Sequence, residues 1–208
     1  MKPIGRYFLL LPLLLSATLW GHKVVESNIV HDSFEKALFL DQPDVSQIAY
    51  HIFSEQSAQF WMCFETVPGE PIDLVLSVPV LSELKDFKPV AWLLSPSFPT
   101  DLSPTPGVSL SSLFPDLPSH WGIQSFVTRG NPVEFFHEPF SNTDSWFLLR
   151  LSFTPVQQEI VYVVVTPEPG KPVEGRVGLA IGKKEKFGLR DILALGRWIK
   201  IIREFHAP

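Results

Sequence analysis

Two runs of alternating side chains joined by a proline and glycine turn constrain this chain more than any other feature. From Ala58 to Val67 the aromatic run places Phe60, Met62 and Phe64 on one face and Trp61, Cys63 and Glu65 on the other. Pro68-Gly69-Glu70-Pro71 then breaks the run, and Ile72, Leu74, Leu76 and Val78 follow at every second position, with Asp73, Val75 and Ser77 between them. A period of two is the signature of a strand with one buried face, and proline and glycine supply the reversal between such strands. The pair reads as a hairpin at the heart of a β domain.

The same grammar runs along most of the chain. Strands are expected at Val45 to Phe53, Val90 to Leu94, His120 to Thr128, Trp146 to Phe153, Glu159 to Thr166 and Glu174 to Ile181, with Pro167-Glu-Pro-Gly-Lys-Pro172 separating the last two. Lys23 to Asp44 is a mixed lead-in in which Ser33 to Leu38 suits a short helical or extended piece. Ser95 to Pro118 holds six prolines and many serines. Prolines at that density remove ladder donors, so the segment is expected to be a long surface loop between strands. About seven or eight short strands with almost no helical periodicity before Lys183 point to an all-β fold, an antiparallel sandwich or jelly roll spanning 45 to 182. The tail differs in kind. Between Lys183 and Phe205, apolar Leu189, Ile192, Leu193, Leu195, Trp198, Ile199, Ile202 and Phe205 recur at spacings of three and four among Arg190, Arg197, Lys200 and Arg203, which describes a basic amphipathic helix over 183 to 208.

With 208 residues, 45% of them apolar, the chain can build a substantial core. Its net charge of −5 is unevenly spread, because the segment from Lys183 onward carries seven Lys or Arg against three Asp or Glu. The rest is acidic and offers no electrostatic reason to bind nucleic acid. At the other end, Lys2 and Arg6 precede the apolar run Tyr7 to Leu15 and the small residues Ser16, Ala17 and Thr18. That three-part layout, shorter than a spanning helix, is expected to be an export signal covering 1 to 21, with cleavage after Ala17 or Gly21 and an extracytoplasmic destination. Cys63 is the single cysteine, so no internal disulfide is available, and its aromatic surroundings suit an inert buried thiol.

Three stretches resemble the pre-peptidase C-terminal (PPC-like) family: Val45-Ser-Gln-Ile-Ala-Tyr50, then Gln59 through Leu76 with its glycine turn, and the closing Gly175-Arg-Val-Gly-Leu-Ala-Ile181. The resemblance covers about half of the chain and implies a small jelly-roll sandwich acting as a binding or accessory module of an exported protein, without catalysis. Two positions depart from the family pattern. Ser57-Ala-Gln-Phe60 stands where acidic residues are common, and Val177 where a tyrosine is usual.

Chemistry-bearing residues gather in Phe135 to Trp146, FFHEPFSNTDSW. Successive strand residues face opposite ways, so His137 and Glu138 cannot both ligate one metal without a bulge, and Ser141-Asn-Thr-Asp144 is turn chemistry. The stretch is expected to be a bend flanked by core aromatics. As a ligand-contacting loop it would offer His137, Glu138, Asp144 and Trp146, joined by Trp121 beside the other long loop. Trp121 and Trp146 sit at strand starts, where flat rings can stack on a sugar, whereas Trp61 and Trp92 belong inside. On the helix, Arg190, Arg197, Trp198, Lys200 and Arg203 could meet a membrane interface or a protein partner, or the apolar face could pack on the sandwich.

No GxSxG, HExxH or nucleotide-binding glycine motif is present. The main expectation is therefore a non-catalytic exported module, requiring no cofactor, that contacts a protein, a glycan or a membrane surface. The alternative is copper chemistry at His22. If the mature chain begins there, its amine and imidazole together with His31, His51, His120 or His137 would form a histidine brace, a nitrogen set that suits copper.

Overall fold

The computed structural model describes residues 21–99, 110–128 and 134–208. The expected export signal, apart from Gly21, lies outside the described residues, as does the middle of the proline-rich segment. Among the described residues eleven strands form two sheets. They are β1 (Lys23–Val24), β2 (Leu38–Leu40), β3 (Gln47–Phe53), β4 (Phe60–Glu65), β5 (Ile72–Pro79), β6 (Val90–Ser95), β7 (Gly122–Val127), β8 (Glu134–Glu138), β9 (Thr143–Phe153), β10 (Ile160–Thr166) and β11 (Gly175–Ile181). One sheet runs β1-β3-β11-β5-β9-β8 and the other β2-β4-β10-β6-β7. We call them the first and second sheets.

The fold is a β-sandwich, with one correction: its sheets are mixed. β1 pairs with β3 in parallel and β2 with β4 in parallel, while every other pairing is antiparallel. The lead-in causes this. β1 and β2 reach their neighbours by crossing from one sheet to the other rather than through hairpins, and only a crossover can deliver a parallel strand. Two- and three-residue strands carry almost no periodic signal, which is why the lead-in resisted reading.

The Ala58 to Val78 pattern holds in detail. Phe60, Met62 and Phe64 meet Leu74, Leu76, Val177, Leu179, Val163 and Val165 between the sheets in one continuous core. Trp61 faces the other way but is buried as well, in a second cluster with Trp92, Leu94, Ile123, Val164 and Phe114. That cluster covers the outer face of the second sheet. It uses the far end of the proline-rich segment, where the single turn α1 (Leu110–Leu113) delivers Phe114 at 2% exposure, and the short 3-10 turn Phe34–Lys36. The segment expected to be all surface is therefore a lid at its described end. Cys63 is buried, and burial pushes its thiol up to about 11. Native protein is expected to label more than tenfold slower than unfolded protein with a thiol reagent, since only the thiolate reacts. Equal rates would contradict the burial.

Helix α2 (Leu189–Phe205) starts six residues later than the sequence pattern proposed. Lys183 and Lys184 instead take backbone bonds to Asp44 and side-chain contacts to Asp73 and Asp44. The helix begins where Asp191 accepts the Gly188 N–H at 2.7 Å, closing a capping arrangement, and Lys23 meets the same carboxylate at 2.7 Å. α2 lies on the outer face of the first sheet, with Trp198 and Phe205 buried. Both outer faces of the sandwich are thus covered. Among the described residues no helix is long and apolar enough to cross a membrane.

Candidate functional site: a chamber beneath the C-terminal helix

Strand alternation puts Ile48 and Tyr50 of β3, Val75 and Ser77 of β5 and Ala180 of β11 on the outer face of the first sheet, opposite the core positions. A bulge completes that face. Ser77 pairs with Phe147 and Leu76 with Leu149, so Leu148 is the extra residue and drops into the core at 2% exposure. Without it Phe147 and Ser145 would point inward; with it both turn outward. Leu195, Ile199 and Ile202 descend from α2 onto this surface. The two layers do not close completely, and a chamber of about 80 Å³ remains between them.

The stretch FFHEPFSNTDSW forms one side of this chamber. It is a hairpin of β8 and β9 whose turn passes through Asn142 at φ 56°, a left-handed position that asparagine tolerates. Reading it as a bend missed the edge strand, because Pro139 and the polar turn residues masked a five-residue run. Phe136 and Glu138 face the chamber with Thr143 and Ser145 opposite them. His137 and Asp144 share the reverse face, where the ring Nδ1 stands 2.7 Å from the Asp144 carboxylate at an exposed site. His137 and Glu138 therefore diverge, as their neighbouring positions require.

Four ionisable groups line the chamber, and burial moves each towards its uncharged form. His22 falls to about 4, mainly through loss of solvent and secondarily through the Arg150 charge. Its Nδ1 lies 2.7 Å from the Ser46 hydroxyl. Tyr50 is pushed up by burial and then by the Glu138 carboxylate. Glu138 is itself pushed up by burial, although it accepts the Phe140 N–H at 2.9 Å. His206 is pushed down, again mainly by burial. Its Nδ1 donates to the Ile202 carbonyl at 2.7 Å, which leaves Nε2 to accept from the Ser145 hydroxyl at 3.0 Å. This serine and histidine pair is oriented by a helix carbonyl rather than a carboxylate, and it fastens the end of α2 to β9.

The other sequence-derived candidates are dispersed. Trp121 stands just before β7 against the outer face of the second sheet, packed on Phe34 and Tyr162, with ring centroids 5.9 and 5.5 Å away. Trp146 turns towards the core. The two tryptophans thus sit on different sheets. On α2, Trp198 points into the protein and donates to Glu26 at 3.0 Å, and Arg197 meets the same carboxylate at 2.8 Å. Arg203 donates to the Ser141 carbonyl at 2.8 Å, Lys200 lies 3.7 Å from Glu204, and Arg190 is exposed. His31, His51, His120 and His137 do not line the chamber that holds His22; His206 does. Among the described residues no cluster of three or more His, Cys, Asp or Glu side chains could hold a metal ion. Sequence reasoning missed Tyr50, Ser145, Ile199 and His206. The available signal was β3, which carries Ile48 and Tyr50 on one face and Ala49 and Phe53 on the other, the mark of a strand whose outer face something covers.

No family model and no curated protein matches the chain. Among solved structures it is similar to CorA of Methylomicrobium album BG8, described as a surface-associated copper-binding protein important in copper acquisition, at 11% identity and a TM-score of 0.34, covering 71% of this chain and 98% of that one.

Proposed function

We propose that this protein is a non-catalytic, exported binding module that receives a small uncharged apolar group in the chamber between the first sheet and α2. The observation that supports this reading is the chamber itself, an apolar gap between two packed layers whose ionisable lining is displaced by burial towards its uncharged forms. Atoms lining a void lack partners on one side, and an apolar guest restores those contacts without a charge to desolvate. The size limits the guest. A cavity of roughly 150 Å³ accommodates benzene, so a space of about 80 Å³ admits the tip of an alkyl chain or a small aliphatic side chain. Phe136 and Phe140, at 36% and 44% exposure, stand at the mouth where the remainder of a ligand or partner would rest.

The test uses 1-butanol as probe, followed by amide NMR of the full chain. Residues lining the chamber, Ile48, Ala180 and Ile199 among them, are expected to shift together and saturate. Ala180→Leu fills the space and is expected to weaken that response at least tenfold while leaving the core spectrum in place. Equal responses in the two proteins, or shifts scattered over the surface, would sink the proposal.

A further inference from the structure

A second cleft opens on the far side of β3, where the chain between β1 and β2 crosses the open side of the sandwich. His31 and His51 both line it, with Ser54, Ser57 and Phe60 nearby. Both histidines are more than nine-tenths buried, at 8% and 9% exposure.

Hydrogen bonding assigns their tautomers. His31 Nδ1 lies 2.6 Å from the Lys36 carbonyl oxygen. A carbonyl only accepts, so Nδ1 carries the proton and Nε2 presents a lone pair. That Nε2 is buried and has no hydrogen-bond partner. His51 repeats the arrangement with its nitrogens exchanged. Its Nε2 lies 3.3 Å from the Ser57 carbonyl, which only accepts, and 3.3 Å from the Ser57 hydroxyl, which both donates and accepts; with Nε2 donating to the carbonyl, Nδ1 is the lone-pair nitrogen. The His51 ring is further fixed by stacking on Phe60, 5.0 Å between centroids and 12° between planes. The two histidines also sense one another electrostatically, and Asp32 adds a negative charge that favours a cation nearby.

A buried acceptor without a donor has given up its hydrogen bonds to water without replacement, so its place in the fold calls for a partner. Imidazoles that ligate metals characteristically donate their other ring N–H to a carbonyl or carboxylate, which fixes the tautomer and aims the lone pair. We propose that His31 Nε2 and His51 Nδ1 form a two-imidazole site for a nitrogen-preferring late first-row transition ion. Two protein ligands leave the remaining coordination positions to water or to a ligand in the cleft. Imidazole suits copper, nickel and zinc, with Cu²⁺ bound most tightly by a given nitrogen set. The site is separate from the chamber beneath α2, and the failure of one proposal leaves the other standing.

Cu²⁺ titration of the full chain, read by electron paramagnetic resonance, is expected to reveal one equivalent with two coupled nitrogens. Affinity is expected to fall at least tenfold in His31→Ala and in His51→Ala. His137→Ala serves as the control, because the exposed His137 and Asp144 pair is the obvious adventitious binder, and it is expected to leave that affinity unchanged. A second measurement guards against variants that misfold: Zn²⁺ added to the unaltered protein is expected to shift His31 Nε2 and His51 Nδ1 in long-range nitrogen NMR. Retention of binding in both cleft variants, loss only in His137→Ala, or Zn²⁺ shifts confined to other histidines would overturn the site.

Discussion

Trp198→Ala is expected to destabilise the protein by about 3 to 5 kcal/mol, the range for removing a buried aromatic side chain. Trp198 is 7% exposed, lies between α2 and the first sheet, and donates from its indole to Glu26. Trp198→Phe separates the two contributions. It keeps most of the ring and loses the hydrogen bond, and since Glu26 retains Arg197 no carboxylate is orphaned. A cost of about 1 kcal/mol is expected for that change. Trp198 also lines the chamber, so its removal should enlarge the space and make it receptive to larger guests. Indole added to Trp198→Ala is expected to restore part of the lost stability in a concentration-dependent way, since a ligand that binds only the folded state stabilises by mass action. Chemical denaturation with and without indole measures all three effects. An alanine variant within 1 kcal/mol of the parent would show that α2 is not anchored by this residue.

The helix shows how far the sequence could be read. Its apolar stripe announced that a cover was needed, and three covers were compatible with it. The structure assigns the sheet, because Trp198 and Phe205 turn inward while Leu189 and Leu193 stay at 74% and 79% exposure. Stripe width alone cannot distinguish these residues, since the distinction depends on what lies below each turn. The hairpin from Phe60 to Val78 was legible because long strands repeat a period of two several times over. β1, β2 and β8 were not, being short edge strands whose pairing is dictated by the neighbour they reach. The chamber was concealed for a further reason. Its wall is built from β3, β5, β8, β9, β11 and α2, and the bulge at Leu148 that turns Phe147 and Ser145 outward leaves no mark in the local pattern. His206 lies just past the last helical residue, where nothing in sequence ties it to Ser145.

Acidification supplies the other large effect, and its sign follows from His22. The folded state holds this imidazole at about 4 against the ordinary 6.5 of a solvated histidine. Above pH 6.5 both folded and unfolded forms are neutral there and no penalty applies. As the pH falls below 6.5 the unfolded chain takes up a proton that the folded chain refuses, so stability declines until the folded group also titrates near pH 4. At roughly 1.4 kcal/mol per pKa unit, His22 alone should cost about 2 kcal/mol by pH 5 and about 3 kcal/mol below pH 4. His51 and His206 are displaced downward as well and add in the same direction. Glu138 opposes them, because its raised pKa is a penalty at neutral pH that protonation relieves. Carboxylates displaced downward, such as Asp191 and Glu159, lose their contribution only as the pH falls towards the ordinary carboxylate range and below. The interval from pH 7 to 5 therefore separates the histidines from these downshifted carboxylates, with Glu138 as the opposing group. Denaturation at constant ionic strength across that interval should show stability falling with pH, and His22→Asn should flatten the slope by about 2 kcal/mol over the same range. An unchanged slope in His22→Asn would mean that His22 is free to protonate in the folded state, and the chamber would not then be the charge-excluding site its geometry describes.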